Sequence, residues 1–227
     1  MGKQQYLVVV LLMASLFLFF GCEDGKLPFS VEIVDVSTTM DTVTITFSEE
    51  ITEIDMPNSI SFASGTFTFT VSDAGGTAVE LGLLDSTADS VTLAVLGRSN
   101  ITGTYQFTLI LGDETDSVLE KSKDVVFTTW SGTTYYLDIF GYDGGTRKIM
   151  MQVTNSTADA SDANLVVNLV ASDFKVFDNQ GDIASYSFSK YGDYEYIFTL
   201  NSTPSGKYWI RFSKTGYRPG YDAINFY

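Results

Sequence analysis

Asp41-Thr42-Val43-Thr44-Ile45-Thr46-Phe47-Ser48 alternates polar and apolar residues without a break. A period of two sends successive side chains to opposite faces of a strand, so Val43, Ile45 and Phe47 share one face and the threonines the other. Thr66-Phe67-Thr68-Phe69-Thr70-Val71-Ser72 repeats the pattern, and Ser90-Val91-Thr92-Leu93-Ala94-Val95 and Tyr105-Gln106-Phe107-Thr108-Leu109 continue it. Threonine and aromatic side chains suit a pleated, half-buried surface. No stretch beyond residue 21 carries a convincing helical period; Glu50 to Ile60 is read as one helical turn at most, interrupted by Pro57. The pattern predicts an all-β chain in which paired antiparallel sheets bury alternate side chains.

The second half of the chain repeats the first. Val71-Ser72-Asp73-Ala74-Gly75-Gly76-Thr77-Ala78-Val79 aligns with Val176-Phe177-Asp178-Asn179-Gln180-Gly181-Asp182-Ile183-Ala184. Each reads as a strand, a turn whose Asp caps the backbone and whose Gly takes a positive φ, and a return strand. Val91, Leu93 and Val95 match Tyr196, Phe198 and Leu200, and Gly103-Thr104-Tyr105 matches Gly206-Lys207-Tyr208. The halves close on Val125-Val126-Phe127 and Ala223-Ile224-Asn225-Phe226. A near-constant offset of about one hundred residues predicts two tandem Ig-like sandwiches, residues 29–129 and 134–227. Phe47, Phe69, Phe107 and Phe127 are the expected core of the first, and Phe188, Phe198, Ile210 and Phe226 that of the second.

The first half, Phe29 to Thr129, resembles a bacterial Ig-like domain of the SbsA type, found in S-layer and cell-surface proteins. The resemblance rests on Val43 to Glu49, on the hairpin Val71 to Gly76, on Gly103-Thr104-Tyr105 and on Phe127-Thr128-Thr129. It implies an Ig-like sandwich with a spacer or adhesion role and brings no catalytic residues. Lys121-Ser122-Lys123-Asp124 stands where the family has an Asp-x-x-Gly-Asn loop.

Ahead of the strands, Lys3 precedes an apolar run from Leu7 to Phe20, then Gly21 and Cys22, the only cysteine. A basic start, an apolar middle and a small residue at the cut form an export leader. The cysteine behind it resembles a bacterial lipoprotein signal, although Phe19 and Phe20 depart from the usual Leu and small residue. The resemblance implies removal of residues 1–21, acylation of Cys22, and residence in the bacterial cell envelope, at the outer membrane, its periplasmic face or the cell surface. A short tether, residues 22–28, reaches on the order of 20 Å at ~3.3 Å per residue. Position 6 is Tyr, which excludes a myristoylation signal at Gly2.

The 227 residues carry a net charge of −15 and no histidine. So acidic a surface repels nucleic acid, whose phosphates need Lys and Arg. Without histidine there is no Ser-His-Asp or Cys-His pair, no imidazole base and no ordinary zinc site. No cofactor, metal or catalytic residue is assigned. Asp178 to Asp182 and Asp113 to Asp116 are oxygen-rich but do not match the twelve-residue Ca²⁺ loop, and both read as turns.

Eleven of the 13 tyrosines lie at or beyond Tyr135. Tyr191, Tyr194, Trp209, Tyr217 and Tyr221 are the candidate binding residues, since aromatic faces beside carboxylates stack on sugar rings. The competing reading is ordinary packing and cross-strand pairing of aromatics. In a strand, Tyr208 and Trp209 face opposite ways, so a buried Tyr208 turns Trp209 outward. The favoured function is a structural or adhesive surface module held to a membrane through lipid on Cys22. The alternative is a carbohydrate-binding lipoprotein presenting an aromatic face of its second domain to a glycan or surface protein. A hydrolase working through two carboxylates is the third reading.

Overall fold

In the computed structural model the described residues are 31–56, 59–73, 75–97, 103–111, 120–127, 136–143, 145–155, 165–215 and 218–227. The leader, Cys22, the tether, the 129–134 boundary, the Asp113–Asp116 turn and Tyr217 lie outside them.

Among these residues the first nine strands are β1 (Ile33–Thr38), β2 (Thr42–Phe47), β3 (Ile51–Asp55), β4 (Ser59–Phe62), β5 (Gly65–Asp73), β6 (Leu81–Ser86), β7 (Ser90–Val95), β8 (Gly103–Leu111) and β9 (Glu120–Phe127). They pair into one sheet ordered β1-β2-β7-β6 and another ordered β3-β4-β5-β8-β9. Then come β10 (Tyr136–Asp143), β11 (Lys148–Thr154), β12 (Phe174–Phe177), β13 (Tyr186–Tyr191), β14 (Glu195–Leu200), β15 (Gly206–Phe212) and β16 (Gly220–Phe226). These form sheets ordered β10-β11-β14-β13 and β12-β15-β16. All pairings are antiparallel. The chain is therefore two Ig-like sandwiches of one plan, with β10-β11-β14-β13 repeating β1-β2-β7-β6 and β12-β15-β16 repeating β5-β8-β9.

Alternation in sequence becomes alternation in burial. Val43, Ile45 and Phe47 are buried on β2 and face Val91 and Leu93 of β7 through the registers Val43↔Leu93 and Ile45↔Val91. On the threonine face, Thr44 and Thr92 hydrogen-bond at 2.9 Å, a cross-strand pair. Phe47 meets Phe62 edge-on with centroids 5.0 Å apart, and Tyr105 meets Phe127 the same way at 5.2 Å. In the second sandwich Phe174 touches the rings of Phe188, Tyr196, Phe198 and Phe212. Of the expected core residues, Phe47, Phe107, Phe127, Phe198, Ile210 and Phe226 are buried. Phe188, on edge strand β13, is half-buried against the core, and the Phe69 side chain lies outside the described residues.

Both repeated turns have the expected chemistry. Asp73 Oδ1 accepts from the Gly75 and Thr77 amides, both at 2.9 Å, and Asp178 Oδ1 accepts from the Gln180 and Asp182 amides at 2.9 and 3.1 Å. Gly76 and Gly181 hold the left-handed φ of 79° and 83° that a Cβ would disfavour.

The helical turn expected within Glu50–Ile60 is not formed. Ile51–Asp55 and Ser59–Phe62 are strands that pair as a hairpin, because Ile60 and Phe62 gain a place in the core that an isolated turn would not supply. The second sandwich has no counterpart of this hairpin among its described residues. There the Tyr196 hydroxyl donates to the Val166 carbonyl at 2.7 Å and accepts from the Leu169 amide at 3.4 Å, tying down the segment that leads to β12.

Candidate functional site

Residues 31–227 pack as a single compact unit. The reason lies in the outward residues of β15. Tyr208, Ile210 and Phe212 point into the second sandwich, which turns Lys207, Trp209 and Arg211 the other way. A lone sandwich would show these three to water. Here each reaches the first sandwich.

Arg211 forks onto Asp41, which stands in the turn before β2. Its Nε donates to Asp41 Oδ2 at 2.6 Å and its Nη2 to Asp41 Oδ1 at 2.9 Å. The Tyr221 hydroxyl donates to the same Asp41 carboxylate and accepts from Arg211 Nε at 3.1 Å. Asp41 is 3% exposed and Arg211 9%, so this is a buried charge pair with its fork geometry satisfied. Burial opposes the Arg211 charge, but the hydrogen bonds and charge of Asp41 outweigh it and hold the guanidinium protonated beyond its ordinary range. Burial first, and then the Asp41 charge, pushes the Tyr221 hydroxyl well above the usual tyrosine value.

At the other end of β15, Lys207 Nζ lies 2.9 Å from Glu80 Oε1 and 4.1 Å from the centre of the Trp209 ring. The Trp209 indole N–H donates to Glu80. Between the two polar clusters lies an apolar patch of Phe177, Ala94 and Leu96, with Leu84, Trp209 and Tyr221 at its margin. Phe177 is fully buried, worth about 1.5–3 kcal/mol for a side chain of its class. Glycines permit the approach. A Cβ at Gly82 would stand 2.6 Å from the Phe177 ring, and one at Gly97 would overlap Trp209. The Gly181 carbonyl accepts from the Leu83 amide at 2.8 Å, which adds the Asp178 turn to edge strand β6.

This joint fixes the fate of the candidate binding residues. Trp209 and Tyr221 come together, but as part of the contact between sandwiches and not on an open face. Tyr191 is 71% exposed and sits with Tyr194 at the β13–β14 turn, on the other sheet of the second sandwich. Tyr217 lies outside the described residues. Of the four described residues, Trp209 and Tyr221 meet at the joint, and Tyr191 and Tyr194 stand apart from them on the other sheet. Sequence reasoning missed Asp41, Glu80 and the three glycines; the one available signal was an Arg and a Trp alternating along a strand that otherwise had no use for them.

A cleft of about 380 Å³ opens beside the Glu80–Lys207 pair. Glu80 and Asp178 both line it. Glu80 is engaged by Lys207 and Trp209, and Asp178 by its own turn amides. Among the described residues no group of three or more acidic side chains is placed to hold a metal ion.

Buried tyrosines give the fold an alkaline limit. Burial raises Tyr186, Tyr196 and Tyr208 as well as Tyr221. The folded state then holds these protons more tightly than the unfolded chain. The associated stability is complete below the unfolded value of about 10 and is lost as pH rises from there through the raised folded values. Urea midpoints measured at pH 8 and pH 11 are expected to fall, and to fall less in Tyr221→Phe; an equal fall in both proteins would remove Tyr221 from the effect.

No protein-family model and no curated protein matches the sequence. Among solved structures, the N-terminal Ig1-2 module of the Drosophila receptor protein tyrosine phosphatase DLAR is similar with a TM-score of 0.32 and 10% identity, over 88% of this chain and 98% of that one. Domains 5–6 of the S-layer protein SbsC are similar with a TM-score of 0.27 and 16% identity, over 86% of this chain and 96% of that one. At these values the strand order described above, and not the likeness, carries the fold.

Proposed function

We propose that this chain is an exported, non-catalytic surface module: two Ig-like sandwiches locked into one body and tethered through lipid on Cys22. The observation that carries the reading is the Asp41–Arg211–Tyr221 cluster. A flexible pair of domains has no need of a buried charge pair across its joint, because such a pair contributes little net stability and much orientation. A fixed joint keeps a spacer or adhesive element at a set reach and angle from its membrane. The SbsA-type resemblance of Phe29–Thr129 and the leader before Cys22 agree with this role.

Two measurements test it. Labelled palmitate is expected to enter the wild-type protein and not Cys22→Ser; incorporation in both would move the anchor elsewhere. Small-angle scattering of the exported chain is expected to fit one rigid two-sandwich shape, and a broad distribution of interdomain distances would defeat the spacer reading.

A further inference from the structure

The outward positions of β12, β15 and β16 hold cations and aromatics and no acid. Their registers set Lys175, Arg211 and Tyr221 in one row, Phe177, Trp209 and Ala223 in the next, and Lys207 with Asn225 in a third. This stands out in a chain with 28 acids against 13 bases. Along β15, outward residues recur about every 6.6 Å, so Lys207, Trp209 and Arg211 form a line of cation, aromatic, cation roughly 13 Å long. The first sandwich answers that line group by group. Glu80 takes Lys207 at 2.9 Å, Ala94 and Leu96 cluster with Phe177 and Trp209, and Asp41 takes Arg211 through both carboxylate oxygens. These groups come from three separate places: ahead of β6, the end of β7, and ahead of β2. Together they present acid, apolar, acid. One extended peptide presents the same order at every second residue, with the spacing of β15 itself. A further cation is left over. Lys175 is exposed beside Arg211 and has no ion-pair partner among the described residues.

We propose that this face is a binding site for an acidic, extended peptide of pattern acid-x-apolar-x-acid, and that the first sandwich masks it with its own Asp41 and Glu80. Peptide and first sandwich compete for the same Arg211 fork, so binding and opening of the joint are one event. The mask lowers the apparent affinity in proportion to the fraction of molecules whose joint is open. Without a competitor the chain stays closed, so the site adds to the spacer reading and does not depend on the anchor.

The test compares the full exported chain with an open variant carrying Asp41→Asn, Glu80→Gln and Gly82→Val. The first two substitutions remove the masking charges at nearly constant size, and the third drives a side chain into the Phe177 ring. Scattering reports the opening. Should circular dichroism show the first sandwich lost, Asp41→Asn and Glu80→Gln alone supply the open form. The probe is a dye-labelled peptide with Glu-Thr-Leu-Thr-Asp at its centre, titrated at low salt and followed by anisotropy. The open variant is expected to bind it saturably, and the wild type about tenfold or more weakly. Adding Lys207→Gln and Arg211→Gln to the open variant is expected to abolish binding, and a scrambled peptide of the same composition is expected to bind less well. An open chain that does not bind, a variant that stays closed, equal binding by wild type and variant, equal binding of the scrambled peptide, or binding that survives loss of both cations overturns the proposal. Polygalacturonate bound where the peptide is not makes the occupant a polysaccharide and overturns the peptide. A wild type that is rigid alone, beside an open variant that ignores the peptide, defeats the masked site and leaves the spacer role standing.

Discussion

Arg211→Ala is expected to open the joint. The substitution leaves Asp41, 3% exposed, with Tyr221 as its remaining side-chain partner across the contact. An uncompensated buried carboxylate costs about 3–5 kcal/mol, and the chain has a cheaper course than bearing that cost: the sandwiches separate and water reaches Asp41. Scattering should show a larger radius of gyration, and chemical denaturation should split into two transitions or shift by about 3 kcal/mol or more. The double variant Asp41→Ala, Arg211→Ala should recover a large part of the loss, since it removes the stranded charge as well as its partner. If the two single losses simply add, Asp41 and Arg211 act independently and the cluster is not what holds the joint.

The second large effect is at Gly181. Its φ of 83° costs a residue with a Cβ about 1–2 kcal/mol, and a Cβ there would also overlap the Leu81 carbonyl oxygen of β6. Backbone on both sides leaves little room for relief, so Gly181→Ala must push the Asp178 turn off β6 and break the Leu83–Gly181 hydrogen bond. Its counterpart Gly76 has nearly the same φ but nothing within 4 Å of its Cβ position. Gly76→Ala therefore measures the backbone strain alone. The difference between the two variants in urea midpoint isolates the docking clash, and equal losses would show that the turn does not bear on β6.

What the sequence made legible follows from the range of the physics involved. Period-two alternation is local, and it located β2, β5 and β7 and the buried Val43, Ile45 and Phe47 of the first. The Asp-to-Gly turns are also local, and their repetition marked the second sandwich. The joint is not local. Arg211 and Asp41 are 170 residues apart, Lys207 and Glu80 127 apart, and each alone looks like an ordinary charge on a solvent face. Ala94 shows the same limit: read as part of a half-exposed strand, it is fully buried because the other sandwich covers it. The tyrosines were grouped by abundance, whereas sheet pairing separates Tyr191 from Tyr221. The β3–β4 hairpin was misread because its strands are short and the gain that stabilises them is tertiary.

The gripping residues and their receptors are divided unequally between the two repeats. On β8, Thr104, Gln106 and Thr108 occupy the places of Lys207, Trp209 and Arg211 on β15. Beside and within β13, Ser185 and Ser187 correspond to Glu80 and Gly82 beside and within β6. The first sandwich thus offers a socket without a plug, and the second a plug without a socket. A head-to-tail contact that recurred on both members would polymerise into an open filament. Here each copy uses up the complementary half of the other, so the pairing is self-terminating and the same surface is unavailable for chain-to-chain growth.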